Sequence, residues 1–520
     1  MVRDAVLLRK YGMAGNSYCI IMLTTTSYPK RKTPAMRKIA ENSINMFDNR
    51  LEELKIDIHN RDELPTLLLG LQELYRHPDQ LSKILRIVET ILPQNIRRDT
   101  GREGMNLWQI LVLAMVRLSC NNDYDKLSDI AGNHFLLREF LHDCKKSDKR
   151  YPRQTLADNL KMFTPEVLAM INGEINKIGH TIMKSDGPKE SRIDSFVVET
   201  DVHFPTDLSL IWDGSRSMIR LATDASEHFG ISGWREHKSI SRKIKYMSRS
   251  CQLIRKKSAK LEATKISKKC DEIKSVETYR DGVTDLILKV KFTLCLLRPN
   301  PLALPWIEKM EYFIMQTEKV LDQLIRRVVK DEKITHAEKI FSIFEPHTEW
   351  IVKGKAGITQ ELGVRVAIAE DECGFLMDWR VMFQETDDKV TIPMAEKILQ
   401  MNPTVNMFSF DKGFYTPENK EKLHEMVDNA ILPQKGKMTK TQKADTQEPE
   451  YIKFRRKHSR IESAIHALEN HGLDRCFDHG KDGFERYVGM AVVARNILQI
   501  GRIIQARMIE DEKRNRKQLA

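Results

Sequence analysis

Between Trp212 and about His347 the chain carries no strand signal, while β-branched and aromatic runs lie on both sides of that gap. Residues 193–200 (I-D-S-F-V-V-E-T) precede it. Residues 350–353, 364–369 and 375–381 follow it, with turn signals at Gly357 and at Glu372-Cys373-Gly374. Runs of this composition predict strands, the later three as an antiparallel meander. A sheet begun before the gap and completed after it must carry everything between as an insertion. That insertion predicts two helical arms, roughly 226–297 and 306–344, interrupted by Arg298-Pro299-Asn300-Pro301 and Pro305, because proline lacks the amide donor and clashes with the preceding turn. The expected fold class is mixed α/β, with a sheet domain over 190–214 and 346–505 interrupted by a basic helical hairpin over 215–345.

The first part of the chain predicts helices alone. Leu68, Leu71, Leu74 and Tyr75 recur at helix spacing, Pro93 closes that segment, and residues 107–120 are nearly apolar all round, as in a buried helix. An all-helical domain over 36–180 is expected, DNA-binding in one of its two readings. Inside it, residues 124–141 form two stretches interrupted near Gly132-Asn133, and Thr164-Pro165-Glu166 supplies a cap, an N1 proline and an early acid. A helix-turn-helix reading makes 153–161 a major-groove helix; a plain bundle with a solvated basic edge fits the same spacing. Residues 1–35 are either a disordered basic arm or a start placed ahead of Met36. Residues 484–504 predict a helix packed as core or dimer surface, and 506–520 a charged tail.

Three acids stand out by position. The apolar run 405–410 (V-N-M-F-S-F) ends on Asp411-Lys412-Gly413-Phe414, so a buried strand stops at an acid and the glycine lets the chain turn. Asp194 opens the run 193–200. Residues 455–465 (R-R-K-H-S-R-I-E-S-A-I) lead three basic residues into a helix-period segment that sets His458, Glu462 and His466 four apart, on one face. Asp194, Asp411 and Glu462 thus form a candidate carboxylate triad, two on neighbouring strands and one on a helix beside them. Such hard oxygen ligands suit Mg²⁺ or Mn²⁺. Other readings stand beside this one. Glu462 fits a solvated i,i+4 ladder, and Asp201 competes with Asp194 as first acid. His203 reads as a loop histidine or as half of a metal pair with Asp201, and His458, Glu462 and His466 as a transition-metal site.

The order D…D-x-G-[FY]…E, with H-S-x-I-E-S-A-I at the Glu and G-L-D-R-C…G-F-E-R-Y-V-G-M-A-V-V-A-R-N-I behind it, resembles the DDE transposases of bacterial insertion sequences. V-E-T-D-V-H-F-P-T-D (198–207), I-V-K-G-K-A-G (351–357) and L-G-V-R-V-A-I-A-E-D-E-C-G (362–374) extend the likeness over roughly residues 100–505. The resemblance implies a ribonuclease-H-like fold and metal-dependent cleavage and transfer of DNA strands at insertion-sequence ends. It puts the three acids on Asp194, Asp411 and Glu462, holding two divalent ions, Mg²⁺ or Mn²⁺. Asp194 would bridge the ions, Asp411 ligate one, and Glu462 ligate the other or position the water. It also implies a homodimer or larger assembly on double-stranded DNA, because two ends are processed together. Many relatives carry a Tyr seven and an Arg four residues before the Glu, and a Lys seven after it; here Arg455, His458 and Glu469 occupy those positions. His458 would replace the Arg as a phosphate contact. A non-catalytic DNA-binding descendant, and a nuclease without strand transfer, are the alternatives.

Charge agrees with a polyanion partner without naming it: 85 Lys and Arg against 73 Asp and Glu leave a net +12, which ordinary surface charge also explains. The first helical arm concentrates Arg235, Lys238, Arg242, Lys243, Lys245, Arg249, Arg255, Lys256, Lys257 and Lys260, expected to meet phosphate or else to form a solvated face. Arg455, Arg456 and His458 join them as DNA contacts. Lys353 and Lys355 read as phosphate contacts or as edge lysines that discourage strand pairing. The lysine-rich loop 435–443 either closes over DNA or is plain surface. Eight cysteines without a C-x-x-C pair point to neither zinc knuckle nor disulfide framework, and no run approaches the ~18 apolar residues of a membrane span. A cytoplasmic prokaryotic protein, associated with the nucleoid when on DNA and with no membrane, is expected.

Overall fold

The computed structural model describes residues 51–92, 104–143, 149–258, 262–335, 338–352, 360–434, 447 and 449–519. The expectations for residues 1–35, Lys260, Lys353, Lys355 and the loop 435–443 lie outside the described residues.

Seven helices come first: α1 (Glu63–Tyr75), α2 (Pro78–Glu89), α3 (Leu107–Ser119), α4 (Tyr124–Asn133), α5 (Phe135–Phe140), α6 (Arg153–Leu160) and α7 (Pro165–Met183). Local chemistry sets their ends. Asn106 and Gln109 form a capping box at α3, and Thr164 caps α7 ahead of Pro165. Strand β1 (Glu190–Thr200) follows, then α8 (Asp207–Phe229), α9 (His237–Lys256), α10 (Glu262–Leu297) and α11 (Leu304–Val328). The rest of the sheet is β2 (Glu349–Val352), β3 (Gln360–Asp371), β4 (Leu376–Met382), β5 (Met407–Phe410), β6 (Asn429–Ile431) and β7 (Arg475–Cys476). Its helices are α12 (Asp387–Met401), α13 (Pro417–Met426), α14 (Pro449–His458), α15 (Arg460–Leu468) and α16 (Gly480–Leu519).

The strands make one open mixed sheet in the order β2-β3-β1-β5-β6, with β4 also on β3 and β7 also on β1. β1 runs antiparallel to β3, and β3 to both β2 and β4; β1–β5 and β5–β6 are parallel, each entered through a helix. The period of two divides the sheet cleanly. Val364, Val366 and Ile368 of β3 join one core with α7, α15 and α16, whereas Ala367 and Ala369 join another with α12 and α13.

Three expectations change. The inserted hairpin is a four-helix bundle with its own core, including Leu208, Ile244, Val283 and Leu324. Its first arm begins at Asp207 and breaks after Phe229, where Gly230 (φ +69°) and Gly233 (φ +113°) take backbone angles that glycine tolerates and other residues rarely do. The second arm stops at Val328 instead of reaching 344. The N-terminal helices, expected as a separate domain, share a single core with the sheet and α16. Residues 506–519, expected as tail, continue α16 as exposed helix, supported by i,i+4 pairs such as Glu510–Arg514.

Helix α16 is the central pillar of that shared core. One window of it is apolar enough by composition to cross a membrane, and 78% of that window is buried inside the fold. Where α16 crosses α1 the backbones touch: a Cβ on Gly501 would stand 1.8 Å from the Thr66 carbonyl oxygen, and one on Gly70 2.1 Å from that of Ile497. Gly501→Ala must push two buried helices apart. We expect it to cost roughly 2–3 kcal/mol, the upper range for overpacking, measured as a lowered urea midpoint with unchanged slope.

Candidate active site

The sheet's pairing brings two of the three acids together. Ile193 of β1 lies opposite Phe410 of β5 in parallel register, so the next residues, Asp194 and Asp411, adjoin where β5 ends. Phe196 and Val198 face the α15–α16 side and Ile193 the α12 side, so alternation turns Asp194 toward α15. On β5, Phe408 and Phe410 enter the α12–α13 core, and the opposite face carries Ser409, whose Oγ lies 3.1 Å from His458 Nδ1. Helix α15 packs beside β1 and lays Ile461, Ala464 and Leu468 into the core, leaving Glu462 on its exposed side. Asp411 is exposed and Asp194 half-buried.

Electrostatics tie the group together. Burial is the largest cause that pushes the Asp194 carboxyl up from 3.8 to about 7; the Ser195 amide donating to Oδ1 at 2.7 Å works against it, and Asp411, Asp387 and Glu462 add to the rise. The leading charges acting on Asp194 are thus negative. His458 is pushed below its ordinary value by burial, with Arg192 acting the same way and Asp411 and Glu462 opposing. It stands as a neutral imidazole whose Nε2 is buried without a polar partner among the described residues.

Asp387, the first residue of α12, is the acid that sequence reasoning missed. It approaches from the other face of the sheet, where Ser195 Oγ donates to its Oδ1 at 2.7 Å. Its Oδ2 fills the space beside Gly413, where a Cβ would stand 2.6 Å away. Gly413 does not take a positive φ. The close approach of Asp387, rather than a sharp turn, is therefore what glycine accommodates there. The signal was present as Thr386-Asp387-Asp388, a cap residue followed by first-turn acids. Pro393, a residue that also suits the first turn of a helix, sits inside α12.

Other expected residues lie elsewhere. Asp201 is beyond the far end of β1, 3.9 Å from Arg475, which also binds Glu199 at 2.9 Å. His203 pairs with Asp213, the loop-histidine alternative. His458 and Glu462 act on one another across the break between α14 and α15, but His466 does not join them: its side chain is 74% exposed toward Glu469. Arg455 and Arg456 are exposed on α14. On α9, which contains no acid, Ile244, Ser248 and Cys251 turn inward and Arg242, Lys243, Lys245 and Lys256 are exposed, as is Lys257 just beyond it. Arg255 differs, binding Glu272 at 2.6 Å. On α6, Leu156, Asn159 and Leu160 are buried and Arg153 pairs with Asp125 at the surface.

Among the described residues no three acids, histidines or cysteines close around a point as a finished ion cage would. The donor set nevertheless fits hard divalent cations: it is all oxygen, it gathers at one strand end, and its charges repel. The folded value of Asp194 lies above the unfolded one, so as pH rises the unfolded chain releases that proton first; stability falls between about pH 4 and 7 and levels off above. In chelator at pH 8, Asp194→Asn is therefore expected to stabilise the protein by roughly 1 kcal/mol after solvent screening, seen as a higher melting temperature. Addition of Mn²⁺ should then raise the melting temperature of wild type more than that of the variant.

No family model, no curated protein and no solved structure matches the chain.

Proposed function

We propose that this chain is a DDE-type DNA transposase, cleaving DNA strands at the ends of an insertion sequence and joining them to target DNA. The observation that carries the reading is that Asp194 and Asp411 adjoin at the end of β5 and Glu462 lies on the helix packed beside β1, its charge acting on Asp194, although 217 and 51 residues separate the three in sequence. An open sheet of three antiparallel strands continued by two parallel ones, with acids at the junction, supports a ribonuclease-H-like domain.

Asp194, Asp411 and Glu462 would hold the divalent ions, which supply charge neutralisation at the phosphodiester and activation of the attacking water or 3′-hydroxyl. Asp387 accepts from Ser195 of β1 and packs against Gly413 just after β5, behind Asp194 and Asp411. Ser409 orients the neutral His458 imidazole beside the same acids. The exposed cations of α9 and α14 give the DNA backbone a sequence-independent surface. Double-stranded DNA and a second copy of the chain are the proposed partners.

The test is incubation of the purified chain with DNA ends flanking its reading frame and a target duplex, in Mg²⁺ or Mn²⁺. Cleaved and joined products are expected. Binding without cleavage would replace the reading by a non-catalytic DNA-binding protein, and cleavage without joining by a nuclease.

A further inference from the structure

Helix α10 is apolar on two sides. Val283, Leu286, Val290 and Leu294 enter the core of the inserted bundle, whereas Leu288, Phe292 and Leu296 lie outside that core, 59%, 66% and 48% exposed. The exposed three stand four apart, so they form one row on the helix surface, about 12 Å long. A helix packed on one bundle needs one apolar stripe, and a second stripe left in water marks a second partner. Leu302, in the turn after α10, and Leu304, the first residue of α11, are exposed as well. A single exposed leucine is ordinary; five large apolar side chains exposed between 288 and 304 are a patch.

Charge gives the row a direction. Before it stands Asp285, exposed and without an ion pair among the described residues. After it stands Arg298, exposed, which engages only Nη2, on Glu311 at 3.0 Å. We infer that a second copy of this chain docks on the row, the two α10 helices lying antiparallel and crossing at Phe292. That two-fold arrangement sets Leu288 over Leu296 of the second copy, the two Phe292 rings together, and Asp285 beside Arg298, each unlike contact occurring twice. A parallel pair would instead set Asp285 on Asp285 and Arg298 on Arg298, which repel. A lipid surface would need free cations beside the row, but Lys291 is paired with Glu318 at 2.7 Å and Lys289 lies over the Trp234 ring at 5.0 Å. Five side chains of this size offer on the order of 500 Å² of apolar surface per copy, about 1,000 Å² for the pair, the lower end of what specific interfaces bury. The expected affinity is therefore micromolar. The inference gives the second copy proposed above a surface, and rests on the proposed function only for what the pair would hold.

The experiment is sedimentation velocity of the full chain, without DNA or divalent metal, from about 1 to 100 μM. A monomer–dimer equilibrium with a Kd of roughly 10 μM is expected, and Phe292→Glu, which alters an exposed side chain, should weaken it at least about tenfold while leaving the urea midpoint unchanged. Register is tested by disulfide trapping in a Cys295→Ser background. Leu288→Cys and Leu296→Cys chains, mixed and mildly oxidised, should cross-link to each other, and neither alone should exceed that background. A chain that stays monomeric at 100 μM, or a dimer indifferent to Phe292→Glu, overturns the self-pairing and leaves the row to a different protein. Cross-linking of Leu288→Cys with itself as readily as with Leu296→Cys overturns the antiparallel register. Because no DNA is present, each of these failures leaves strand cleavage to be decided by its own assay.

Discussion

Asp194→Asn, Asp411→Asn and Glu462→Gln should each lower strand cleavage and joining by roughly 10³-fold while DNA binding persists. The size follows from losing one ligand of ions that stabilise charge on a phosphodiester already negative, a contribution of several kcal/mol. The pattern is more diagnostic than the size. Asp201→Asn should stay within about twofold of wild type, because Asp201 sits with Arg475 beyond the opposite end of β1. Cleavage of end-bearing duplexes, scored beside filter binding of the same DNA, decides it. If Asp201→Asn lost activity and Asp194→Asn kept it, the site would have to be rebuilt around Arg475. If none of the three substitutions mattered, the carboxylate reading would fall.

Arg117→Ala should destabilise the fold by about 3–5 kcal/mol without touching the acids. Arg117 sits on α3 at 1% exposure, and its Nη2 donates to Asp478 Oδ1 at 2.8 Å in the turn between β7 and α16. Its Nη1 donates to the Tyr124 hydroxyl at 3.0 Å, and the guanidinium lies over the rings of Tyr124 at 4.0 Å and Tyr487 at 5.1 Å. Truncation leaves a cavity and deprives buried Asp478 of its shorter ion pair, the 3.3 Å contact with Arg486 remaining. Because a buried pair costs most when only one partner is lost, Arg117→Met combined with Asp478→Leu should recover part of the deficit. Urea unfolding of the single and double variants measures both. A single variant within 1 kcal/mol of wild type would mean that Asp478 finds solvent or a new partner on unpairing.

Much of this architecture was legible locally. Thr164-Pro165 starts α7 as its capping chemistry requires, β-branched residues 193–200 form β1, and the prolines between 299 and 305 separate α10 from α11. Errors arose where a local signal had two physical outcomes. Pro393 fits the first turn of a helix or, less often, its interior, and here α12 had already started at Asp387. The spacing of His458, Glu462 and His466 puts three side chains on one face only if the helix is continuous, and Ser459 divides it into α14 and α15. Likewise Gly413 suits a turn or a close approach, and only the position of Asp387 distinguishes them.

The sequence by itself determined the periodicities, and with them the alternation of helical and strand segments, the interruption of the sheet, and the carboxylate chemistry of Asp194, Asp411 and Glu462. Tertiary structure alone decided which acids meet. A strand's alternation says that Asp194 and Ser195 point to opposite faces but not which face looks toward α15. That choice is made by the burial of Phe196 and Val198 on one side and Ile193 on the other, and by the parallel register that sets Ile193 against Phe410. Those contacts link residues hundreds of positions apart. Their free energy comes from removing apolar area from water across the whole assembled core, a quantity that no local window of sequence contains.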